Sequence, residues 1–459
     1  SSYSAIQFRS TGSLTITGES NITSTGEKAI EGNSTGTITV GEKIEEGKIE
    51  EPQKVPTIKG EKYGIYQNNT NGKFNFYDGT IIGSNSYQAI YGKVTDTETG
   101  YDVITKEDTQ SKTLTCTLEK LPVAQIGENK YYSLYDAVQS IETEEETTIT
   151  LIRDFNITAT SQTTQINEGK NIIIDLNGNN ITSVLENTII NKGNLKIVDS
   201  NTQKQGTITI DLAGNNSYIS GIVNESTGKI EITNNISIIG KGLHSNSIKN
   251  EGEITATDTK LNNNGTYIVG SSYGIRLMLN DGVLNLNNTT VSNTGGSSAN
   301  VIYNDTGIIN INNSIVQERY SIIETYEGEV NITGEVTRKG IAQLVSLKQK
   351  SSTSEGTKLN IENATITDEN TASTMISGEN GEIKVKNSNI QAKTGIIGTT
   401  TYERGINLMI ENSNLTSSNY AVISQYKGNT EIKDSDIIYN GTSSYSAIQF
   451  RSTGSLTIT

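Results

Sequence analysis

The sequence predicts an all-β fold, a parallel β-solenoid with coils of about 25 residues. The first observation is a glycine period, with intervals of 25, 21, 28, 25, 24, 23 and 26 residues between Gly282, Gly307, Gly328, Gly356, Gly381, Gly405, Gly428 and Gly454. The second is the alternation of apolar and polar residues within each unit, which is typical of a strand with one buried face. The third is that no helix-length segment separates these runs.

Each coil is predicted to contain three short strands. The alternating run is the middle strand, as in 282–291, and a shorter strand precedes it, as in 63–65, 273–275 and 420–423. A third strand follows an Asn-Ser corner and carries a single inward Ile, Val or Leu. Because one coil cannot bury its apolar side alone, stability has to come from the stacking of neighbouring coils.

The corner after the middle strand carries a recurring polar residue. Asparagine tolerates left-handed backbone angles and bonds to its neighbouring backbone, so it suits a sharp corner between strands. Identical side chains stacked coil on coil can also form a hydrogen-bonded ladder. We therefore predict a structural corner ladder at Asn288, Asn313, Asn363, Asn387, Asn412 and Asp434.

Two stretches interrupt the coil pattern. Residues 41–58 are rich in charge and hold two of the 3 prolines, which predicts an exposed loop. Residues 93–130 contain two alternating runs, 101–105 and 112–118, which predict a β-hairpin that leads into a connector at Pro122.

One segment, 133–141, predicts a helix. Ser133 and Asp136 form a start that resembles a capping box, and Leu134, Val138 and Ile141 lie on one helical face. A short amphipathic helix before the first coils is expected to cover the open N-terminal end of the solenoid, since that end presents unpaired strand edges.

The segment around this helix resembles a known family. Residues 122–138, 148–154 and 169–178 are similar to the N-terminal segment of right-handed parallel β-helix domains in large bacterial cell-surface proteins, which have the pectin-lyase-like fold. The resemblance covers about 122–182 and continues at the level of coil pattern to 459. It implies a right-handed parallel β-helix and display at the cell surface, and it implies no particular ligand.

A duplication shapes the predicted domain organisation. Residues 1–17 and 443–459 are identical, at an offset of 442 residues, which indicates a window from a chain that repeats with this period. Duplication of a short tag at both ends is the competing explanation. The repeat predicts C-terminal coils of one solenoid in 1–95, a hairpin and connector in 96–122, and the next solenoid in 123–459. It also predicts that Gly-Glu-Ser-Asn-Ile, as at 18–22, follows Thr459.

Composition narrows the classes of partner and compartment. The chain has 51 Asp and Glu against 36 Lys and Arg, a formal charge of -15, and no basic cluster, which argues against nucleic acid as a partner. No apolar stretch reaches the ~20 residues of a membrane span. The single cysteine, Cys116, excludes a disulfide framework within one copy and is expected to occupy a strand position. We expect an extracellular or cell-surface location.

No candidate for catalysis, cofactor or metal binding survives comparison with the coil pattern. Asp434 and Asp436 are the closest carboxylate pair, but Asp434 takes the corner position that asparagine fills elsewhere. His244, the one histidine, lies in a polar turn without a recognisable partner. The run 175–178 has only a fragment of a calcium-loop pattern. Several of the 21 tyrosines recur at one corner of the coil, where they are expected to stack along the axis, with sugar binding as the alternative.

These observations predict a structural, non-catalytic repeat unit of a giant extracellular filament or surface protein. Its expected partners are neighbouring copies of the same repeat, end to end or side by side, and in addition surface glycans or a host protein. Two alternatives stay open: an adhesin that binds a host molecule or carbohydrate through 41–58 or 93–130, and a β-helix enzyme that degrades polysaccharide.

Overall fold

The computed structural model describes residues 3–43, 55–98, 100–157, 162–212, 219–242, 246–264, 276–294, 300–318, 322–340, 343–351, 356–369, 374–399, 405–451 and 453–459. The chain forms two compact units, Ser1–Pro122 and Val123–Thr459. Strands take about 57% of the chain and helix 2%, in about 16 turns of a right-handed parallel β-solenoid. The predicted fold class is therefore confirmed, while the predicted domain boundaries stay a prediction.

The first unit has three stacks of parallel strands, called faces 3, 1 and 2 in the order in which the chain meets them. Face 3 contains β1 (Ser4–Phe8), β4 (Lys28–Gly32), β7 (Tyr63–Gln67) and β10 (Ile90–Tyr91). Face 1 contains β2 (Ser13–Ile16), β5 (Thr37–Val40), β8 (Lys73–Phe76) and β11 (Asp96–Thr97). Face 2 contains β3 (Asn21–Thr23), β6 (Thr57–Lys59) and β9 (Thr80–Ser84).

A β-hairpin closes face 2 of the first unit. Strands β12 (Tyr101–Asp108) and β13 (Thr113–Lys120) pair antiparallel, as the two alternating runs predict. β13 also pairs antiparallel with β9, so the hairpin covers an edge of the parallel stack. Cys116 lies on β13 as expected, is 4% exposed, and its Sγ lies 3.2 Å from Thr105 Oγ1. Burial raises the pKa of this thiol.

The predicted exposed loop at 41–58 is wrong at both of its ends. Gly41 is buried, and so are Pro56 and Ile58. Ile58 belongs to β6, where it stacks between Ile22 and Ile81 in the core of the first unit. The charged residues and prolines of this stretch indicate a loop, and a three-residue strand with one inward side chain gives no alternation that would indicate otherwise. Residues 44–54 lie outside the described residues.

The second unit opens with a cap. β14 (Ala124–Ile126) and β15 (Asn129–Tyr131) form a hairpin whose first strand pairs antiparallel with the first coil strand, and α1 (Leu134–Gln139) follows. The side chain of Ser133 accepts a hydrogen bond of 2.9 Å from Asp136 N. Leu134 and Val138 are buried in the core together with Ile141, which lies just beyond the helix.

Faces 1 and 2 of the second unit form one bent sheet of 25 strands that includes the opening hairpin. Face 1 contains β16 (Thr147–Leu151), β19 (Asn171–Asp175), β22 (Asn194–Val198), β25 (Lys229–Ile232), β28 (Glu253–Thr257), β31 (Val283–Asn287), β34 (Ile308–Asn312), β41 (Asn380–Lys386), β44 (Gly405–Glu411), β47 (Thr430–Lys433) and β50 (Leu456–Ile458). Face 2 contains β17 (Phe155–Ile157), β20 (Ile181–Ser183), β23 (Thr207–Leu212), β26 (Ser237–Gly242), β29 (Lys260–Asn263), β32 (Thr290–Asn293), β35 (Ile315–Glu318), β42 (Asn389–Ala392), β45 (Asn414–Ser417) and β48 (Asp436–Tyr439). β37 (Glu329–Gly340) and β39 (Thr357–Asp368) run through the corner and contribute to both faces.

Face 3 of the second unit is a separate sheet of 12 parallel strands. It contains β18 (Thr164–Ile166), β21 (Ile189–Asn191), β24 (Ser220–Asn224), β27 (Asn246–Asn250), β30 (Arg276–Asn280), β33 (Asn300–Asn304), β36 (Ile323–Thr325), β38 (Val345–Leu347), β40 (Ile376–Gly378), β43 (Ile397–Thr399), β46 (Ile423–Gln425) and β49 (Ile448–Phe450).

The core is a set of apolar columns along the axis. On face 1, for example, Ile254, Leu284 and Ile309 stack in register on successive strands, and each is at most 1% exposed. Full burial of such a side chain stabilises by roughly 1.5–3 kcal/mol. Because the register is strict, every alternate residue of face 1 points outward and forms a regular surface array.

Candidate functional site

The six predicted corner residues all have left-handed backbone angles, with φ between 46° and 52°. Part of the predicted hydrogen-bond ladder is present among them: Asn412 Nδ2 donates to Asn387 Oδ1 at 2.9 Å, and Asn387 Nδ2 donates to Asn363 Oδ1 at 3.3 Å. The row is interrupted at β37, where Gly334 (φ 66°) occupies the corner. The Oδ1 of Asn313 accepts instead from Glu335 N at 2.9 Å. The six residues are Asn288, Asn313, Asn363, Asn387, Asn412 and Asp434.

At three successive corners, the serine that follows the corner residue adds a second connection between coils. Ser388 N donates to Ser413 Oγ at 3.1 Å, and Ser413 N donates to Ser435 Oγ at 3.0 Å. Each of these hydroxyls also donates to a carbonyl two residues earlier, as from Ser413 to Glu411 at 2.7 Å. The Asn-Ser pair was visible in the sequence, but the role of the serine was not predicted.

A second asparagine ladder, which the sequence reading missed, lies inside the solenoid at the end of face 3. Each Nδ2 donates to the Oδ1 of the next coil, over 2.8 Å from Asn191 to Asn224, 2.9 Å from Asn224 to Asn250, 2.7 Å from Asn250 to Asn280 and 2.8 Å from Asn280 to Asn304. All five are 0% exposed. The recurring sequence of Asn, an acidic or basic residue and then a nearby glycine is the signal that could have revealed this ladder.

A third ladder runs along the outside of face 1. Asn310 Nδ2 donates to Asn285 Oδ1 at 2.7 Å, Asn331 to Asn310 at 2.9 Å and Asn360 to Asn331 at 2.8 Å. Asn285 Nδ2 continues the row to Thr255 Oγ1 at 3.1 Å. These side chains are half-buried, so the ladder fixes a flat polar strip on the surface.

One ion pair is buried in the core of the second unit. Arg338 of β37 and Asp368 of β39 are opposite each other, 2.8 Å apart, with side chains 1% and 0% exposed. Thr394 Oγ1 donates to the same carboxylate at 3.3 Å. Burial lowers the pKa of Arg338, and the neighbouring carboxylate opposes that shift. Nothing in the coil pattern had predicted an inward-pointing charge at these positions.

The carboxylates considered as candidates for catalysis or metal binding lie at a corner, on a strand and in a tight turn. Asp434 lies at a corner and Asp436 on the exposed side of β48. Asp175 Oδ1 accepts from Asn177 N and from Ser200 N, both at 2.9 Å, so it closes a tight turn. His244 lies outside the described residues. In the described ranges, no three Asp, Glu, His or Cys side chains are grouped so that they could hold a metal ion.

Tyrosines cluster on face 3 of the first unit. The rings of Tyr66 and Tyr91 stack at 4.4 Å and 13°, and Tyr63 contacts both edge-on. Lys28 Nζ lies 4.0 Å from the centre of the Tyr66 ring, and Tyr87 is 44% exposed. The cluster combines mutual stacking with a partly exposed aromatic surface.

Comparisons with known proteins identify no relative of this chain. No protein-family model, no curated protein and no solved structure matches the chain. Among the described residues, no helix is long and apolar enough to cross a membrane.

Proposed function

We propose that the chain is a structural, non-catalytic repeat unit of a long tandem-repeat protein of the cell surface or extracellular space. The observation that carries the proposal is the place of the duplicated segment in the two units. In the second unit, Ile448 of β49 pairs with Ile423 of the preceding coil. In the first unit, the identical residue Ile6 of β1 pairs with Ile30 of the following coil.

The same holds for the neighbouring strand of this coil. β50 pairs with β47 before it, and its sequence equivalent β2 pairs with β5 after it. Ile458 is 62% exposed on β50, whereas the identical Ile16 is 6% exposed on β2. Among the described residues, the copy at 443–459 is therefore paired only with the coil before it, and the copy at 1–17 only with the coil after it. A single coil with both neighbours would join 443–459 to 18–122 without a break in register.

Both extremities of such a joined solenoid carry a cap. The opening hairpin and α1 cover the start at β16, and the hairpin of β12 and β13 covers the edge at β9. Antiparallel caps stop further addition of parallel strands. The proposed unit is therefore a rod that runs from 123 to 459 and on through 18–122 of the next copy, and successive rods meet at Pro122.

The test compares one substitution in two chains, the 459-residue chain and a joined chain of 123–459 followed directly by 18–122. We expect Ile448→Lys to cost little in the first, where one edge of its coil is uncovered. In the joined chain the isoleucine is covered on both sides, and the loss should grow by roughly 1.5–3 kcal/mol. Hydrogen exchange of 446–458 should slow in the joined chain. Equal losses and equal exchange rates in the two chains would contradict the proposal.

A second candidate function is adhesion, favoured by the tyrosine cluster of the first unit. Tyr87 and Tyr91 are 44% and 39% exposed, and Lys28 and Lys62 lie over neighbouring rings. Exposed tyrosines of this kind are common at binding surfaces. Binding of the chain to a glycan array, lost in Tyr91→Ala, would support adhesion, and an array without signal would count against it.

A further inference from the structure

We propose that face 1 of the second unit pairs side by side with face 1 of a second copy, with the two rods parallel. The pairing face is the outward row of side chains on β28, β31, β34, β37, β39 and β41. This inference concerns the second unit by itself and does not depend on copies being joined in tandem. Its basis is the distribution of charge on this face.

The middle of the pairing face carries no charge. The outward residues of β31 and β34 are Val283, Asn285, Asn287, Ile308, Asn310 and Asn312. The chain as a whole has a formal charge of -15, so two copies repel each other over most of their surface. An uncharged strip, with Ile308 38% exposed beside the asparagine row, is where two copies can approach without that repulsion.

The asparagine row is also preorganised. Its amides are fixed to each other at 2.7–2.9 Å. Asn310 and Asn331, in the middle of the row, each use one donor and one acceptor in the ladder, so an amide has a further donor and acceptor to offer a partner. The amides at the two ends, Asn285 and Asn360, donate in addition to Glu253 and Glu329. Because the side chains are already ordered, little rotamer freedom is lost on binding. Stacked amide rows of this kind are self-complementary when two sheets meet face to face.

Charges on β39 and β41, beyond β37, select the relative direction of the rods. Lys358 and Glu362 lie at the two ends of the outward row of β39, and Glu382 and Lys386 lie in the same two columns of β41 with the signs reversed. A two-fold axis along the rod reverses the strand direction but keeps each strand level with its own copy. Lys358 then faces Glu362 of the second copy, and Glu382 faces Lys386. On the axis Lys384 meets its own copy, and its ion pair with Glu382 at 3.0 Å reduces that repulsion.

An antiparallel arrangement centred on the uncharged strip lacks this match. It would place β28 opposite β37 and β25 opposite β39. Glu253 would then face Glu329, and Lys229 would face Lys358, since these residues share one column of the face. Juxtaposed like charges disfavour that geometry. The face therefore favours parallel rods.

The size of the face sets the expected affinity. Six strands at a spacing of ~4.8 Å and five residues of ~3.3 Å give an area of about 475 Å² per copy. A standard interface buries about 800 Å² per partner, so the pairing is expected to be weak. Salt screens the ion pairs that flank the strip and also the repulsion between two acidic copies, so charge reversals at one fixed salt concentration are the sharper test.

The test is sedimentation equilibrium of the full chain and of charge-reversal variants at one fixed, moderate salt concentration. We expect Lys358→Glu alone, and Glu362→Lys alone, to weaken self-association by about tenfold or more. The double variant restores the match between copies and should recover most of the association. Lys260→Glu on face 2 is the matched control and should leave self-association unchanged. Circular dichroism checks that each variant is folded.

Spin labels test the direction of the rods. In a Cys116→Ala background, labels on Met409→Cys, on β44 just beyond the pairing face, should lie about 10–25 Å apart between copies, since paired sheets are ~10 Å apart. Labels on Thr150→Cys, near the start of the rod, should also be close in parallel rods and more than about 50 Å apart in antiparallel ones. A chain that stays monomeric at millimolar concentration, a double reversal that fails to restore association, or distant labels at Thr150 would overturn the proposal.

Discussion

Replacing Asn250 by alanine tests whether the buried asparagine ladder holds the coils together. Asn250 Nδ2 donates to Asn280 Oδ1 at 2.7 Å and to Val283 O at 3.0 Å, and its Oδ1 accepts from Asn224 Nδ2 at 2.9 Å. Asn224 keeps two other acceptors, Gly228 O and Glu253 O, each at 3.1 Å. The substitution therefore deprives chiefly the Asn280 carbonyl of its donor in a site without solvent access.

The magnitude follows from these contacts. A buried polar group left without a partner costs about 1–3 kcal/mol, and each lost hydrogen bond contributes about 0.5–1.5 kcal/mol net. We expect Asn250→Ala to lower the free energy of unfolding of the second unit by roughly 2–5 kcal/mol. Asn310→Ala is the matched control, because Asn310 also makes two ladder bonds, of 2.7 and 2.9 Å, but is half-buried. Water can replace its partners, so its loss should stay below about 1 kcal/mol.

Urea unfolding followed by circular dichroism measures both losses. Hydrogen exchange over 246–263 assigns the affected transition to the second unit, since the two compact units need not unfold together. Equal losses for Asn250→Ala and Asn310→Ala would refute the reasoning, because Asn250 is buried and makes one further bond, to Val283 O, whereas Asn310 is half-buried and makes only the two ladder bonds among those described.

Three further predictions concern single positions. Arg338→Met should destabilise by about 3–5 kcal/mol, because it leaves Asp368 buried without its cation, whereas Arg338→Met with Asp368→Leu should be nearly neutral in urea unfolding. Burial raises the pKa of Asp281 in the folded chain above its ordinary value of 3.8. The protonated carboxyl therefore contributes stability at pH values below 3.8, and this contribution is lost as the pH rises through the raised pKa. Asp281→Asn should accordingly raise the melting temperature at pH 7, with no gain at pH 3. Ser133→Ala removes the helix cap and should cost about 1 kcal/mol, seen as faster hydrogen exchange in α1.

Much of the fold follows from repetition in the sequence. The period of glycines and the alternation around 282–291 predict strands that stack in parallel, because a coil pattern repeated many times leaves one way to bury its apolar residues. The hairpin at β12 and β13 and the helix after Ser133 were also readable, since each has a local signal in alternation or capping. The strand at Ile58 was not, because a three-residue strand with one inward side chain has no period of its own.

One of the asparagine ladders could likewise be predicted from the sequence, and another was not. The corner asparagines are recognisable because a left-handed backbone angle restricts the residue type at each corner. The buried row through Asn224 and Asn280 was missed, because its signal, an asparagine followed by a charged residue and a nearby glycine, is recognisable only when the coils are compared with one another. The pair of Arg338 and Asp368 depends on register across β37 and β39, and no local pattern encodes which residues meet there.

The most direct test of the central claim is a Lys-C digest of the protein from its natural source. Lys433 and Lys28 are the cleavage sites that flank the shared coil, and no lysine lies between them if copies are joined as proposed. We predict a peptide that runs from Asp434 to Thr459 and continues directly with residues 18–28. A peptide in which Thr459 is followed by any other sequence would contradict the account.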